Sequence, residues 1–223
     1  MPASYEILPY GDSAYLIKFD VAGYSEAVTE HIHGLIAVLG KQRNWEELVP
    51  GYNSLLAYFC PTTFPPQKAI GELRKALRTS RMPSIRRGKI IDIPVCYGGE
   101  YGPDMDNIMQ SSGLTKSVVI KRHSRPVYKV CMMGFIPGFT FLSEAPKTLH
   151  HPRRESPRNI VPAGSVGIAG WQTGIYGLES PGGWQIIGRT PVKLFDGERE
   201  TPFLLKAGDR VRFKPIKAGD FHD

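Results

Sequence analysis

The chain has 223 residues, 41% of them hydrophobic, a net charge of +7 and three cysteines. That length allows one large or two small domains with ample apolar material for a core, and no apolar run approaches the roughly 18 residues that a membrane helix needs. Cys60, Cys96 and Cys131 are odd in number and far apart, which argues against a disulfide framework or a zinc knuckle. The expectation is a soluble, cytoplasmic protein with buried thiols, no metal site and no membrane contact. Basic residues cluster at Arg81, Arg86, Arg87 and Lys89 and again at Lys121, Arg122 and Arg125, but in no helix-turn-helix, zinc-finger or RNP context. Nucleic acid is therefore not the expected partner. An acidic small molecule or an acidic protein uses the same charge more economically.

In chain order, YEILPYGDSAYLIKFD predicts a hairpin turning at Gly11 and Asp12. Ser25 then precedes an amphipathic helix carrying Val28, Ile32, Leu35, Ile36 and Leu39 on one face and stopping at Gly40. His31 and His33 lie on or beside that helix, two residues apart and facing different ways, so both are expected at the surface or its boundary rather than as a metal pair. Residues 54–61 read as a buried strand, and Pro65 and Pro66 open a second helix through Ile70, Leu73 and Leu77. Two helices between strands suggest a small α+β domain with both helices on one face of an antiparallel sheet. The run from Arg81 to Lys89, broken by Pro83 and Gly88, has the composition of a connection. The boundary is placed near residue 85, giving domains 1–84 and 85–223.

Beyond it, KIIDIPVCY predicts a strand whose late proline favours a sheet edge or a strand end. Asp104 is a candidate N-cap for a short helix, Leu114 to His123 forms another, and VYKVCMMGF is a strand. PVKLFD reads as a strand, and PFLLKAGDRVRFKPI as two strands joined at Gly208 and Asp209. Many short strands with regular turns argue for a closed or nearly closed β-barrel.

The organising stretch is residues 134–191, which hold ten of the 24 glycines and seven of the 19 prolines but only Glu144, Glu155 and Glu179 as acids. Its aromatics need a core or a partner, so it is a turn-rich folded segment whose loops present a surface. No P-loop, Rossmann fingerprint or HExxH motif occurs. Ala163 to Gly167 approaches the GxSxG elbow but lacks its first glycine and its following helix, so Ser165 reads as a turn hydroxyl or ligand hydrogen-bond donor and not a nucleophile. Arg153, Arg154 and Arg158, set among prolines, form either a preorganised anion site or a basic loop paired with Glu155 or Glu179. Arg189 is open to the same two readings. Gln172 and Tyr176 are candidate neutral donors. Gly134, Phe135, Pro137, Gly138 and Phe139 combine close-approach glycines with aromatics, as in a pocket rim, a subunit contact or a plain core. His123, His150 and His151 are general-base candidates, each read first as a surface histidine.

GFIPGFTFL, HPRRESPRNIVPAGSVGIAGWQTGIY and ESPGGWQIIGRTPVKLFD, with YGDSAYLIKF, VPGYNSLLAYF, IPVCYGGEYGPD and PFLLKAGDRVRF, closely resemble the B-subunit family of bacterial 5-oxoprolinase. That family is also called the Kip inhibitor or allophanate hydrolase subunit 1 family. The resemblance spans nearly the whole chain. It implies an N-terminal ferredoxin-like α+β domain and a C-terminal cyclophilin-like β-barrel, partnered by the C and A subunits of the enzyme. The assembly it implies opens 5-oxo-L-proline to L-glutamate at the expense of ATP, and the B subunit alone is inactive. Gly134, Pro137, Gly138, Phe139, Arg153, Pro157, Arg158, Pro162, Gly164, Ser165, Gln172, Tyr176, Gly182, Gly183, Trp184 and Arg189 match the family pattern. Arg153, Arg158 and Arg189 are the implied catalytic cations. Gly134, Phe135, Pro137, Gly138, Phe139, Pro162, Gly164, Ser165, Gln172, Tyr176 and Trp184 are the implied substrate contacts. Gly177 departs from the proline usual after the IY pair, and Cys131 to Met133 and Lys147 to His151 are atypical. Two alternatives remain: a regulatory protein that inhibits a sensor histidine kinase, and a component of a urea- or allophanate-type carboxyltransferase.

Overall fold

The computed structural model describes residues 4–79 and 89–222. The chain divides into two compact units, residues 1–87 and 88–223. The boundary expected near residue 85 falls outside the described residues.

In the first unit, β1 (Tyr5–Pro9) and β2 (Ala14–Phe19) form the expected hairpin, paired from Tyr5 with Phe19 to Pro9 with Tyr15. Helix α1 (Glu26–Leu39) starts where the Ser25 hydroxyl accepts the Val28 N–H, and α2 (Pro66–Thr79) starts at a proline whose missing N–H would have no helical partner there. β3 (Glu47–Pro50), not predicted from the sequence, pairs with β4 (Ser54–Tyr58), giving an antiparallel sheet in the order β1-β2-β4-β3. Ile17, Phe19, Leu55 and Ala57 alternate onto one sheet face. They share a core with Val28, Ile32 and Leu35 of α1 and Ala69, Leu73 and Leu77 of α2, so both helices cover the same face. His31 is not at the boundary: it is buried edge-on against Phe19, and burial lowers its pKa.

The second unit is a closed seven-stranded barrel. Its strands are β5 (Ile90–Tyr97), β6 (Tyr128–Met133), β7 (Thr140–Glu144), β9 (Ser165–Ala169), β10 (Gln172–Ile175), β12 (Gln185–Arg189) and β13 (Arg210–Ile216). They follow the order β10-β7-β6-β13-β5-β12-β9, and β9 pairs back to β10. β8 (Arg158–Val161) and β11 (Ser180–Gly182) form a separate ribbon. A cluster of Phe139, Val161, Ala169, Tyr176, Trp184 and Ile186 packs Val161 of that ribbon against the barrel wall. Helices α3 (Met105–Ser112) and α4 (Lys116–Ser124) lie between β5 and β6 in sequence.

Three expectations need correction. β5 is no edge strand: it pairs in parallel with β13 over seven residues and antiparallel with β12. Pro94 is tolerated because β12 engages β5 only at Cys96 and Tyr97, past the residue that lacks an N–H. Neither PVKLFD nor PFLL is a strand. Thr190 Oγ1 accepts the Val192 N–H beside Pro191 and turns the chain away from the ladder, and only a bridge between Phe195 and Phe203 pins the loop.

His123 is no surface residue. Helix α4 places it wholly inside the barrel core, stacked on Phe213 with 4.7 Å between ring centroids. Its Nε2 lies 2.8 Å from Thr173 Oγ1 and its Nδ1 2.8 Å from the Tyr97 hydroxyl. Thr173 uses its only hydroxyl proton on Gly167 O, so Nε2 carries the imidazole proton and Nδ1 accepts from Tyr97. Burial pushes the His123 pKa down to about 3.

The folded pKa thus lies below the unfolded one, and the unfolded chain takes up a proton first as pH falls. Stability from this group is complete above about pH 6.5 and is lost progressively as pH falls toward 3. The expected loss between pH 7 and pH 4.5 is about 2 to 3 kcal/mol, read by urea denaturation. His123→Gln, which cannot titrate, should flatten that part of the pH profile relative to wild type.

Candidate functional site

Two adjoining depressions open beside the barrel where loops from the organising stretch meet. Gly164 joins two strand ends: its N–H donates to Tyr176 O at 2.8 Å and its carbonyl accepts the Thr190 N–H at 2.9 Å. At φ +78°, with Thr190 O directly against the space a Cβ would need, this position admits only glycine. A Cβ at Gly177 would overlap Pro137 O and the Gly138 backbone, so glycine there lets the 134–138 loop close onto the strand end at Ile175.

The first depression is an open cleft of about 410 Å³ lined by residues 163–164, 177–178, 189–193 and 195–197. Its charged groups are Arg189, Lys193 and Asp196, and Asp196 is paired with Arg199 at 3.1 Å. Arg189 Nε donates to Ala163 O at 2.9 Å, and the guanidinium lies 5.6 Å from the centroid of the Phe221 ring. The second is an apolar groove of about 320 Å³ formed by Met133 to Gly138 and Phe203. Phe135 is 66% exposed and stands at φ +71°, the only non-glycine residue at positive φ among those described. A phenylalanine so placed stores about 1 kcal/mol of backbone strain or more. The Phe195 ring on the cleft side packs at a tilt on Phe203 of the groove, with 5.1 Å between centroids, so the two depressions share a wall.

The basic loop is built differently from either reading of the sequence. Asp104, only 2% exposed, does not cap α3. Its carboxylate accepts two hydrogen bonds from Arg158, at 2.7 and 2.8 Å, one from Arg154 at 3.0 Å and one from the Ile186 N–H at 2.7 Å. The salt-bridge partner is thus Asp104 rather than Glu155 or Glu179, and both terminal nitrogens of Arg158 are engaged. Arg153 stays exposed; burial pushes the Tyr176 hydroxyl pKa up to about 12, against a smaller lowering by a backbone hydrogen bond with Trp184 and by the charges of Arg153 and Arg158.

Among the candidate contacts, Gly134, Phe135, Pro137 and Gly138 line the groove, and Gly164 and Arg189 line the cleft. Phe139, Ser165, Tyr176 and Trp184 are buried, so their side chains support the site from behind. Pro162 is exposed at a turn, its carbonyl accepting the Ser165 N–H; Gln172, paired with Ala169 and Glu144, lines neither depression. His150 Nε2 lies 2.9 Å from Ala145 O and 3.4 Å from Glu144, and His151 bridges to Gly170; neither reaches the cleft lining. Sequence reasoning missed Asp104, Lys193 and Phe221 as members of this region. A signal for Asp104 was present: three arginines within six residues, with too few local acids, require a distant carboxylate. Among the described residues no three His, Cys, Asp or Glu side chains gather as metal ligands would, and no helix is long and apolar enough to cross a membrane.

The chain is thus a mixed α+β protein with a closed barrel, a glycine-built cleft and arginine-rich loops. The family profile of the carboxyltransferase domain, subdomain C and D, matches residues 5–205, and the chain belongs to that family. It is 38% identical over 240 residues to the 5-oxoprolinase B subunit of Bacillus subtilis, covering 100% of this chain and 97% of that one. It is 44% identical over 176 residues to the 5-oxoprolinase B subunit of Escherichia coli O157:H7, covering 79% and 80%. Among solved structures, TTHA0988 superposes with a TM-score of 0.81 at 34% identity, over 94% of this chain but 41% of that longer one. The Kluyveromyces lactis urea carboxylase, at 18% identity and a TM-score of 0.80 over 23% of its own chain, shares the fold.

Removing the shared carboxylate should strand two guanidinium groups. Asp104→Ala is expected to cost about 3 kcal/mol in urea denaturation, and Arg153→Ala, at an exposed site, less than about 0.5 kcal/mol. Equal effects from the two variants would contradict the network's structural role.

Proposed function

We propose that this chain is the B subunit of a cytoplasmic, ATP-dependent 5-oxoprolinase, inactive alone, that works with the C and A subunits to open 5-oxo-L-proline to L-glutamate. The observation that carries this reading is the full-length likeness to the 5-oxoprolinase B subunit of Bacillus subtilis, which extends through both units. The geometry supports one part of an assembly rather than a whole enzyme. The cleft is lined by two cations, backbone and apolar side chains such as Leu178, Val192 and Phe195, and its one carboxylate is tied to an arginine; among the described residues no histidine, cysteine or glutamate lines it. A resonance-stabilised lactam needs its oxygen activated and a base for water, and ATP supplies the driving force for that activation. Neither depression lies at a helix N-terminus, so the donors here fit one anionic group better than a whole triphosphate. That supports a nucleotide bound by the partner or at a site shared with it.

The same reading covers the fold names. In the first unit β2, α1, β3, β4 and α2 run in βαββα order, with β1 beside β2, which supports a ferredoxin-like arrangement whose last strand comes first in the chain. The seven-stranded closed barrel supports a cyclophilin-like second domain. Barrel likeness alone carries no isomerase activity.

One observation favours the second reading, a regulatory protein that docks on a sensor histidine kinase: the strained, outward Phe135 beside an apolar groove. Co-expression with candidate C and A subunits, and 5-oxoproline-dependent ADP release with each omitted in turn, separates the two. The enzyme reading expects release only when all three are present. A stable complex with no release in any combination would favour the regulatory reading. Arg158→Ala should lower stability along with turnover, because Arg158 is tied to Asp104.

A further inference from the structure

We propose that the outer edge of β1, together with Arg74 and Arg78 of α2, is a docking site for an extended acidic segment of a partner protein, which adds to the sheet as a further strand. The site lies within the first unit and is independent of the cleft beside the barrel. β1 ends the sheet order β1-β2-β4-β3 and, among the described residues, pairs with β2 alone. Hydrogen bonds from the Tyr10 N–H to Ala14 O and from the Asp20 N–H to Ser4 O, both 2.8 Å, fix the phase of the hairpin. Even-numbered residues of β1 direct their backbone groups at β2, so Tyr5, Ile7 and Pro9 direct theirs outward. Tyr5 and Ile7 each offer an N–H and a C=O to another strand. Pro9 has no N–H and limits the ladder at that end.

The side chains around this edge set a charge preference. Tyr5 and Ile7 stand opposite Phe19 and Ile17, on the sheet face that the two helices cover. With Arg74 and Arg78 they line an open depression of about 300 Å³. Both arginines are exposed, and among the described residues neither has an ion-pair or hydrogen-bond partner. Helix α2 also carries Lys68 and Lys75, against Glu72 as its only acid. Four residues of helix rise about 6 Å, and alternate residues of a strand lie about 6.8 Å apart. Acidic side chains two residues apart on an added strand therefore match Arg74 and Arg78 in spacing. The other face of β1 presents Glu6 and Leu8, both exposed. Glu6 disfavours acid there and Leu8 offers apolar surface, so the segment that fits alternates acidic and apolar residues. Backbone hydrogen bonds supply affinity, and the arginines select the charge.

The test uses the full chain and a fluorophore-labelled, amidated peptide of about eight residues alternating glutamate and valine, read by fluorescence anisotropy. Binding is expected at about 50 mM salt and should weaken at about 500 mM, while a lysine–valine counterpart should not bind. The double variant Arg74→Gln/Arg78→Gln, altered only at exposed side chains, should raise Kd at least about fivefold. N-methylation of the glutamates blocks antiparallel addition, and N-methylation of the valines blocks parallel addition. One of the two should raise Kd at least about tenfold, and the other should leave it within about twofold. Both methylated peptides binding like the parent, or both failing, would overturn strand addition. No binding by the wild-type chain, or undiminished binding by the double variant, would overturn the site. Citrate that displaces the peptide at equal concentration would show a small-anion pocket instead. Sedimentation that finds a dimer lost in the double variant would give the edge to a second copy of this chain and overturn the partner assignment.

Discussion

One buried carboxylate holds the organising stretch in shape. Asp104 sits at the start of α3, yet it receives two arginines from a loop some 50 residues further on and a backbone N–H from β12. Burying a charge is costly unless it is paired and hydrogen-bonded, and here four donors converge on two oxygens. A proline-rich loop, a helix start and a barrel strand are thereby fixed to one point. Gln185 repeats the pattern with neutral groups, accepting from Asn107 and donating to Pro152 O. Positions on either side of the same strand thus tie α3 and the loop to the barrel.

The barrel's interior follows the same rule of complete satisfaction. Tyr97, His123, Thr173 and Gly167 form a chain in which each donor has one acceptor, and the Tyr128 hydroxyl closes it onto His123 O at 2.7 Å. A polar chain buried this fully specifies one packing where leucines in its place would allow several. Outside, the exposed pair of Arg212 and Asp92 faces across the parallel β5–β13 ladder in direct register, and solvent screening keeps its contribution small. Rigidity therefore comes from the interior chain and the Asp104 node, and the loops around the cleft are left to carry recognition.

What the sequence made legible was what local chemistry determines. The first hairpin, the two capped helices, the helix pair before β6 and the presence of a barrel all follow from periodicity, caps and turns. What it hid depends on contacts distant in the chain. Asp104 has the right type and place for an N-cap, and only a tertiary competitor, two guanidiniums with a stronger claim, redirects its side chain. His123 follows a lysine and an arginine on a short helix, so local composition puts it outside, while the barrel needed a polar plug. PVKLFD alternates like a strand, but Pro191 and the Thr190 hydroxyl turn it into the cleft wall. Of the candidate site, glycines that permit backbone contact were visible as glycines. Whether an aromatic faced solvent or the core was not, because Phe135 and Phe139, four residues apart and in edge-to-face contact, end one exposed and the other buried.

The second unit keeps its histidines apart from its open cleft. Its cleft carries Arg189, Lys193 and Asp196, and the histidines lie elsewhere: His123 is sealed in the core, and His150 and His151 are engaged away from the cleft. Acid–base chemistry at such a cleft would need a base brought from outside its own lining, and an open cleft with an apolar groove next to it leaves room for that. TTHA0988 carries the corresponding region inside a longer chain, and the urea carboxylase holds the same fold within a longer chain. The tilted Phe195–Phe203 pair is the wall common to cleft and groove, so a surface that covered the groove would also stand at the edge of the cleft.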